Sequence, residues 1–217
     1  DPIDEVRKRK ITVSANIPMD RIISAPDADS QYQVPLNFVA EGLGEKVLKH
    51  LRLTPRTTPD WENWKHLIDR IHRPNHRLRV AMIGKYVEIG EYELKDSYIS
   101  VNQSLEHAGA ALDAKVEISW IDSRRLELGQ VEEELENFDG IIVPGAFGEG
   151  GADGVIQAIR YARESGVPFL GLCYGMQMAV VEYARNVAGM IDANSAEIDP
   201  DAPNAVIDIQ YNQREII

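Results

Sequence analysis

The chain has 217 residues, 44% of them apolar and 27% charged, with a net charge of −12 and one cysteine. That length can bury a substantial core, one domain plus additional structure, and the acidic balance excludes general nucleic-acid binding, which needs a basic face. One thiol excludes internal disulfides and fits a reducing cytoplasm, and no apolar run approaches the roughly 20 residues that span a bilayer.

In chain order, Arg7-Lys8-Arg9-Lys10 is a local basic cluster whose plain reading is a solvated helix face, although such clusters can bind phosphate-bearing ligands. Turn signals then dominate to about residue 78 ("NIPMD", "SAPDAD", "RLTPRTTPD"). Two helices are predicted there. One is Gly44–Leu53; the other follows the Pro59-Asp60 cap signal and runs "WENWKHLIDRIHR", with Trp61, Trp64, Leu67, Ile68 and Ile71 on one packing face. From Arg79 the pattern alternates. "RVAMIGKY" reads as a strand, Asp96–Ala108 as a helix, "KVEISWID" as a strand and Leu126–Asn137 as a helix. "GIIVPG" follows as a buried strand, Asp153–Glu164 as a helix, "VPFLGL" as a buried strand, Gly175–Ala188 as a helix and "NAVIDI" as a further strand. Such alternation predicts an α/β fold, a doubly wound and mostly parallel sheet with ligands at the carboxyl ends of the strands. The chain opens at Asp1 without methionine and stops at Ile217 in mid-pattern, so it is expected to be a piece of something longer.

Gly171-Leu172-Cys173-Tyr174-Gly175 joins a predicted strand to a predicted helix. Small residues on either side let the backbone double back and push one side chain outward, as in a G-x-nucleophile-x-G elbow. A helix amino terminus lowers the pKa of a thiol, and its N–H groups, notably that of Tyr174, can hold the oxyanion formed by thiolate attack on a carbonyl. The loop "VPGAFGEGG" follows the neighbouring strand, and Gly145, Gly148, Gly150 and Gly151 are expected to permit positive φ and close backbone approach. It lacks the spacing of a dinucleotide fingerprint, and no phosphate-binding GxxxxGK[ST] loop occurs. It reads instead as the source of a second oxyanion N–H opposite Tyr174.

These blocks carry a resemblance. "GKY", "DSYISVNQSLEHAG", "VPGAFGEGG", "IRYARESGVPFLGLCYGMQMAVVEYARNVAG" and "DANSAEIDPDAPNAVIDI" resemble, in order, the glutamine amidotransferase domain of the CTP synthase family. "RKRKITVSANIP" and "APDADSQYQVPL" resemble the close of that family's synthase domain. The resemblance implies an end of an α/β synthase (amidoligase) domain at 1–58, a helical linker at 59–78, and a class I glutamine amidotransferase domain at 79–217, incomplete at its carboxyl end. It implies a reaction in which glutamine is hydrolysed through a γ-glutamyl thioester and the ammonia aminates UTP, activated by ATP, to CTP. Carried over by position, Cys173 is the nucleophile and the N–H groups of Ala146 and Tyr174 form the oxyanion hole. Gly145, Ala146, Phe147, Tyr174, Gly175, Met176, Gln177 and Glu197 bind glutamine, the Glu197 carboxylate facing its α-ammonium. Lys10 and Ala28 border the nucleotides. The implied cofactor is ATP with Mg2+, held mainly by synthase parts not present here, with GTP as an activator; no metal site of the chain's own is implied. The implied partners are L-glutamine, UTP and ATP in a cytoplasmic homo-oligomer, a tetramer in the family, with neither nucleic acid nor membrane.

Three positions depart from the family pattern. Ala146 stands for a glycine, where a Cβ is expected to strain the loop; Gly150 stands for an arginine, which bears on GTP activation; Tyr174 stands for a leucine. "EIGEYELKDSY" is also longer than the usual link. The family's catalytic histidine and glutamate match positions beyond Ile217, while His50, His66, His72, His76 and His107 all precede the cysteine, so the chain is expected to carry the nucleophile without its base. Two further readings stay open: a non-catalytic glutaminase-like binding or oligomerisation module, and a stand-alone cysteine hydrolase, against which the segment from Lys10 to Leu36 argues.

Overall fold

The computed structural model describes residues 2–85, 88–89, 92–93, 98–210 and 213, and the chain divides into two units, Asp1–His72 and Arg73–Ile217. The predicted helix start at Asp96 and strand end at Tyr86 lie outside the described residues.

In the first unit, α1 (Glu5–Ala15) starts where the Asp4 side chain accepts the Arg7 N–H at 2.7 Å and stops at Asn16 in the left-handed region, φ 52°. It buries no residue. α2 (Val34–Ala40) and α3 (Leu43–Leu51) turn on Gly42, φ 66°. α4 (Glu62–His72) sets Trp64 against Tyr32, with ring centroids 6.0 Å apart and the indole N–H donating to the Tyr32 carbonyl at 2.8 Å. Ile68 is buried on the same face. α2 was not predicted, and the Arg7–Lys10 cluster, read as a helix face, lies on α1. α1 escapes a search for an apolar stripe because it has none; an Asp cap and ion pairs of Arg7 with Asp4 and Arg9 with Glu5 sustain it instead. Lys8 is no solvated residue either, since its ammonium pairs with Glu41 at 3.5 Å.

The second unit runs β1 (His76–Gly84), β2 (Glu88–Ile89), β3 (Tyr92–Glu93), α5 (Ile99–Ala111), β4 (Ala114–Asp122), α6 (Ser123–Leu126), α7 (Val131–Leu135), β5 (Gly140–Val143), α8 (Ala152–Ser165), β6 (Phe169–Gly171), α9 (Tyr174–Asn186), β7 (Ala193–Ser195) and β8 (Asn204–Ile207). The main sheet is parallel, in the order β4-β1-β5-β6. Side chains alternate between its faces. Ala81, Ile83, Ile141 and Val143 pack on Val155, Ile159, Met178 and Val181 of α8 and α9, while Val80, Met82 and Ile142 meet Val101 and Leu105 of α5. Helices therefore cover both faces, as a parallel sheet requires. The chain leaves β1 in one direction to reach β4 and returns on the other side at β5, so the carboxyl ends of β1 and β5 form the switch point where such folds bind ligands.

Two expectations are corrected. The predicted helix Leu126–Asn137 is two short helices separated at Gly129, φ 89°. The first is started by Asp122, whose carboxylate accepts the Arg124 N–H at 2.9 Å. "VPFLGL" is not fully buried: β6 pairs with β5 alone among the described strands, and Leu170 is 51% exposed.

Candidate active site

Cys173 caps α9 at φ 52°, ψ −106°, one of four non-glycine residues with positive φ among those described. Such a conformation costs of order 1–3 kcal/mol and persists only where the surroundings impose it. The imposition is visible. A Cβ on Gly171 would lie 2.6 Å from the Gly175 carbonyl carbon, and one on Gly175 would lie 2.2 Å from the Val143 oxygen. Neither glycine has positive φ, so both are needed for close backbone approach and not for conformational freedom. Val143 O accepts the Leu172 N–H at 2.9 Å, and Cys173 O accepts from Gln177 N at 3.1 Å, closing the first turn of the helix. The thiol is thereby held exposed at the amino end of a 13-residue helix, beside the unpaired N–H groups of its first turn.

The loop after β5 lies against this elbow: a Cβ built on Gly145 would be 3.7 Å from the Cys173 Cβ. Gly145 O accepts the Tyr98 hydroxyl at 3.0 Å, and Tyr98 stacks at 5.1 Å on Trp120. Burial holds the Tyr98 phenol above its ordinary pKa. Positive φ occurs in the loop at Gly148 (77°) and Gly151 (78°), and not at Gly145, Ala146 or Gly150. The expected strain at Ala146 is therefore absent. Its side chain packs, half-buried, on the core, and a Cβ is compatible with that backbone. Gly150 faces open space. Phe147 is 78% exposed and Met176 55%.

Gly148 is held on both sides of its chain. Its N–H donates to Glu197 Oε1 at 2.8 Å, and its carbonyl accepts from the Tyr174 hydroxyl at 3.4 Å and from Lys85 Nζ. Lys85 is only 4% exposed and its ammonium stands 4.1 Å above the Tyr174 ring centroid. Burial pushes its pKa down, against the upward pull of Glu197, Glu127 and Glu149. Gln177 and Glu197 line one cavity of about 340 Å3, together with Ser195, Ile207 and Asp208.

The structure thus gathers Gly145, Cys173, Tyr174 and Gly175 at the elbow and joins Gln177 and Glu197 at the cavity. Lys10 is exposed on α1, and Ala28 is half-buried, both in the first unit. His76 opens β1 at the amino ends of the strands, opposite the elbow. Lys85 and Tyr98 were not among the predicted site residues. The sequence carried two signals for Lys85, its place in the "GKY" block and its position at the carboxyl end of an apolar strand. Among the described residues no group of three His, Cys, Asp or Glu side chains could hold a metal, and no helix is long and apolar enough to cross a membrane.

A strained cysteine between packing glycines, beside a glycine loop at the switch point of a parallel sheet, is the arrangement of a cysteine amidotransferase. Residues 93–208 match the family model "Glutamine amidotransferase class-I", and the chain belongs to that family. Within it the similarity is to CTP synthases. The chain is 44% identical over 215 residues to the CTP synthase of Halalkalibacterium halodurans, covering 99% of this chain and 39% of that protein. It is 47% identical over 214 residues to that of Desulfitobacterium hafniense, covering 99% and 39%. A solved Trypanosoma brucei CTPS glutaminase domain with bound acivicin superposes with a TM-score of 0.58 at 38% identity, covering 63% of this chain and 52% of that one. The chain spans about two fifths of the length of the curated relatives it matches.

Proposed function

We propose that this chain carries the glutaminase centre of a CTP synthase. The Cys173 sulfur attacks the carboxamide carbon of glutamine, the thiol proton passes to the leaving nitrogen as the C–N bond breaks and ammonia departs, and water then cleaves the thioester to glutamate and free thiol. The N–H groups of Tyr174 and Ala146 hold the oxyanion, and a backbone donor serves as well on alanine as on glycine. Gln177 and Glu197 hold the amino-acid end of the substrate, with Gly145, Phe147, Gly175 and Met176 shaping the approach. The released ammonia aminates UTP in the ATP-dependent reaction of the whole protein, a cytoplasmic homo-oligomer. Lys10 and Ala28 border its nucleotides, together contributing one ammonium and one backbone position, the margin of a nucleotide site and not the whole of it. Mg2+ with ATP, and GTP as activator, belong to that larger assembly.

The observation that carries the reading is the Cys173 backbone, held at φ 52° with the Gly145 loop against it. A non-catalytic module has no need for an exposed thiol in that conformation. Mass spectrometry after exposure of the full-length protein to an electrophilic glutamine analogue tests it. One adduct on Cys173, suppressed by glutamine, is expected; an unlabelled Cys173 in protein that does not hydrolyse glutamine favours the non-catalytic reading.

A further inference from the structure

Lys85 follows β1 directly, the glycine loop follows β5, and Cys173 follows β6. These are three consecutive strands of the sheet, and one ammonium laces their carboxyl ends together. Lys85 Nζ donates to Gly148 O in the middle loop and stands over the ring of Tyr174 in the first turn of the elbow helix. A lysine 4% exposed is costly unless its charge is used, and among the described residues no carboxylate lies within ion-pair distance of it. Its interactions go instead to a neutral carbonyl and an aromatic face, both belonging to the site.

At Gly148 the positive φ lets the N–H meet Glu197 while the carbonyl meets Lys85 and Tyr174. The loop carrying Ala146 is thus fixed at one point by groups from the residue after β1, from α9 and from the segment after β7. We propose that Lys85 is a positioning residue of the glutaminase centre, clamping the glycine loop onto the elbow through Gly148 and Tyr174 so that the loop's N–H stays aimed beside Cys173. It touches no substrate and acts through the loop. The proposal rests on the glutaminase reading above.

The test uses the full-length protein with Lys85→Met, which removes the ammonium at nearly constant length, and Lys85→Arg, which keeps charge and donors. Losing a whole oxyanion donor costs about 10²–10³ in turnover, so a mis-aimed one should cost about 10- to 100-fold in kcat for glutamine hydrolysis, with KM within about threefold. Lys85→Arg should stay within about fivefold of the parent. Amide hydrogen exchange across residues 145–150 should quicken about tenfold or more in Lys85→Met. If Lys85→Met does not fold, Lys85→Gln carries the same readouts. A parental kcat in the variant, or unchanged exchange across 145–150, overturns the clamp while leaving the glutaminase reading intact. A parent that neither hydrolyses glutamine nor is labelled at Cys173 overturns both.

Discussion

Glu197 accepts the backbone N–H of Gly148 at 2.8 Å, tying the wall of the cavity to the glycine loop beside the nucleophile. The bond uses Oε1, and Oε2 takes no hydrogen bond from the described residues. One carboxylate can therefore hold the loop and still face a ligand's ammonium.

Glu197→Gln keeps an acceptor for Gly148 and removes the charge. The expected result is a rise of about 5- to 30-fold in KM for glutamine, roughly 1–2 kcal/mol at this exposed position, with kcat little changed. Steady-state glutaminase kinetics check it. An unchanged KM removes Glu197 from the binding site.

Ala146→Gly is expected to bring no gain. Alanine is unstrained here because φ is not positive, so glycine offers no relief and loses roughly 0.5–1 kcal/mol through added freedom in the unfolded chain. Glutaminase turnover should stay within about twofold of the parent. A tenfold rise would show that the loop is strained at Ala146 after all.

Asp122 shows how acid should affect the fold. The hydrogen bond from the Arg124 side chain holds its carboxyl below the ordinary 3.8, against the opposing pull of burial. A depressed carboxylate stabilises the folded state above its ordinary value, and that stability is lost as pH falls through the lowered one. Asp122→Asn should thus lose about 1 kcal/mol at neutral pH, the pair being screened because Arg124 is 59% exposed. Its urea midpoint should depend less on pH than the parent's as the pH falls below about 4. Parallel curves would contradict this.

The parallel sheet was legible because each strand is a short apolar run between helical periods, and the elbow because Gly171, Cys173 and Gly175 sit at such a junction. What escaped has a physical reason in each case. α1 has no apolar stripe, and α2 is too short to show a period. The break at Gly129 falls inside the predicted Leu126–Asn137 helix, and the Asp122 cap that starts α6 lies in the preceding strand. Exposure of Leu170 depends on which strand flanks β6, a non-local fact. Lys85 was hidden for the same reason, since its partners Gly148 and Tyr174 are 63 and 89 positions away. Ala146 was misjudged because a glycine-rich context suggests positive φ throughout, whereas only Gly148 and Gly151 adopt it.

The most direct measurement is CTP formation by full-length Cys173→Ala, assayed separately with glutamine and with added ammonia. With Cys173 as the covalent nucleophile, glutamine-dependent synthesis should fall about 10⁴-fold or more while ammonia-dependent synthesis stays within about twofold of the parent. Glutamine-dependent synthesis surviving in the variant, or loss of both activities in a folded protein, would contradict the assignment of Cys173.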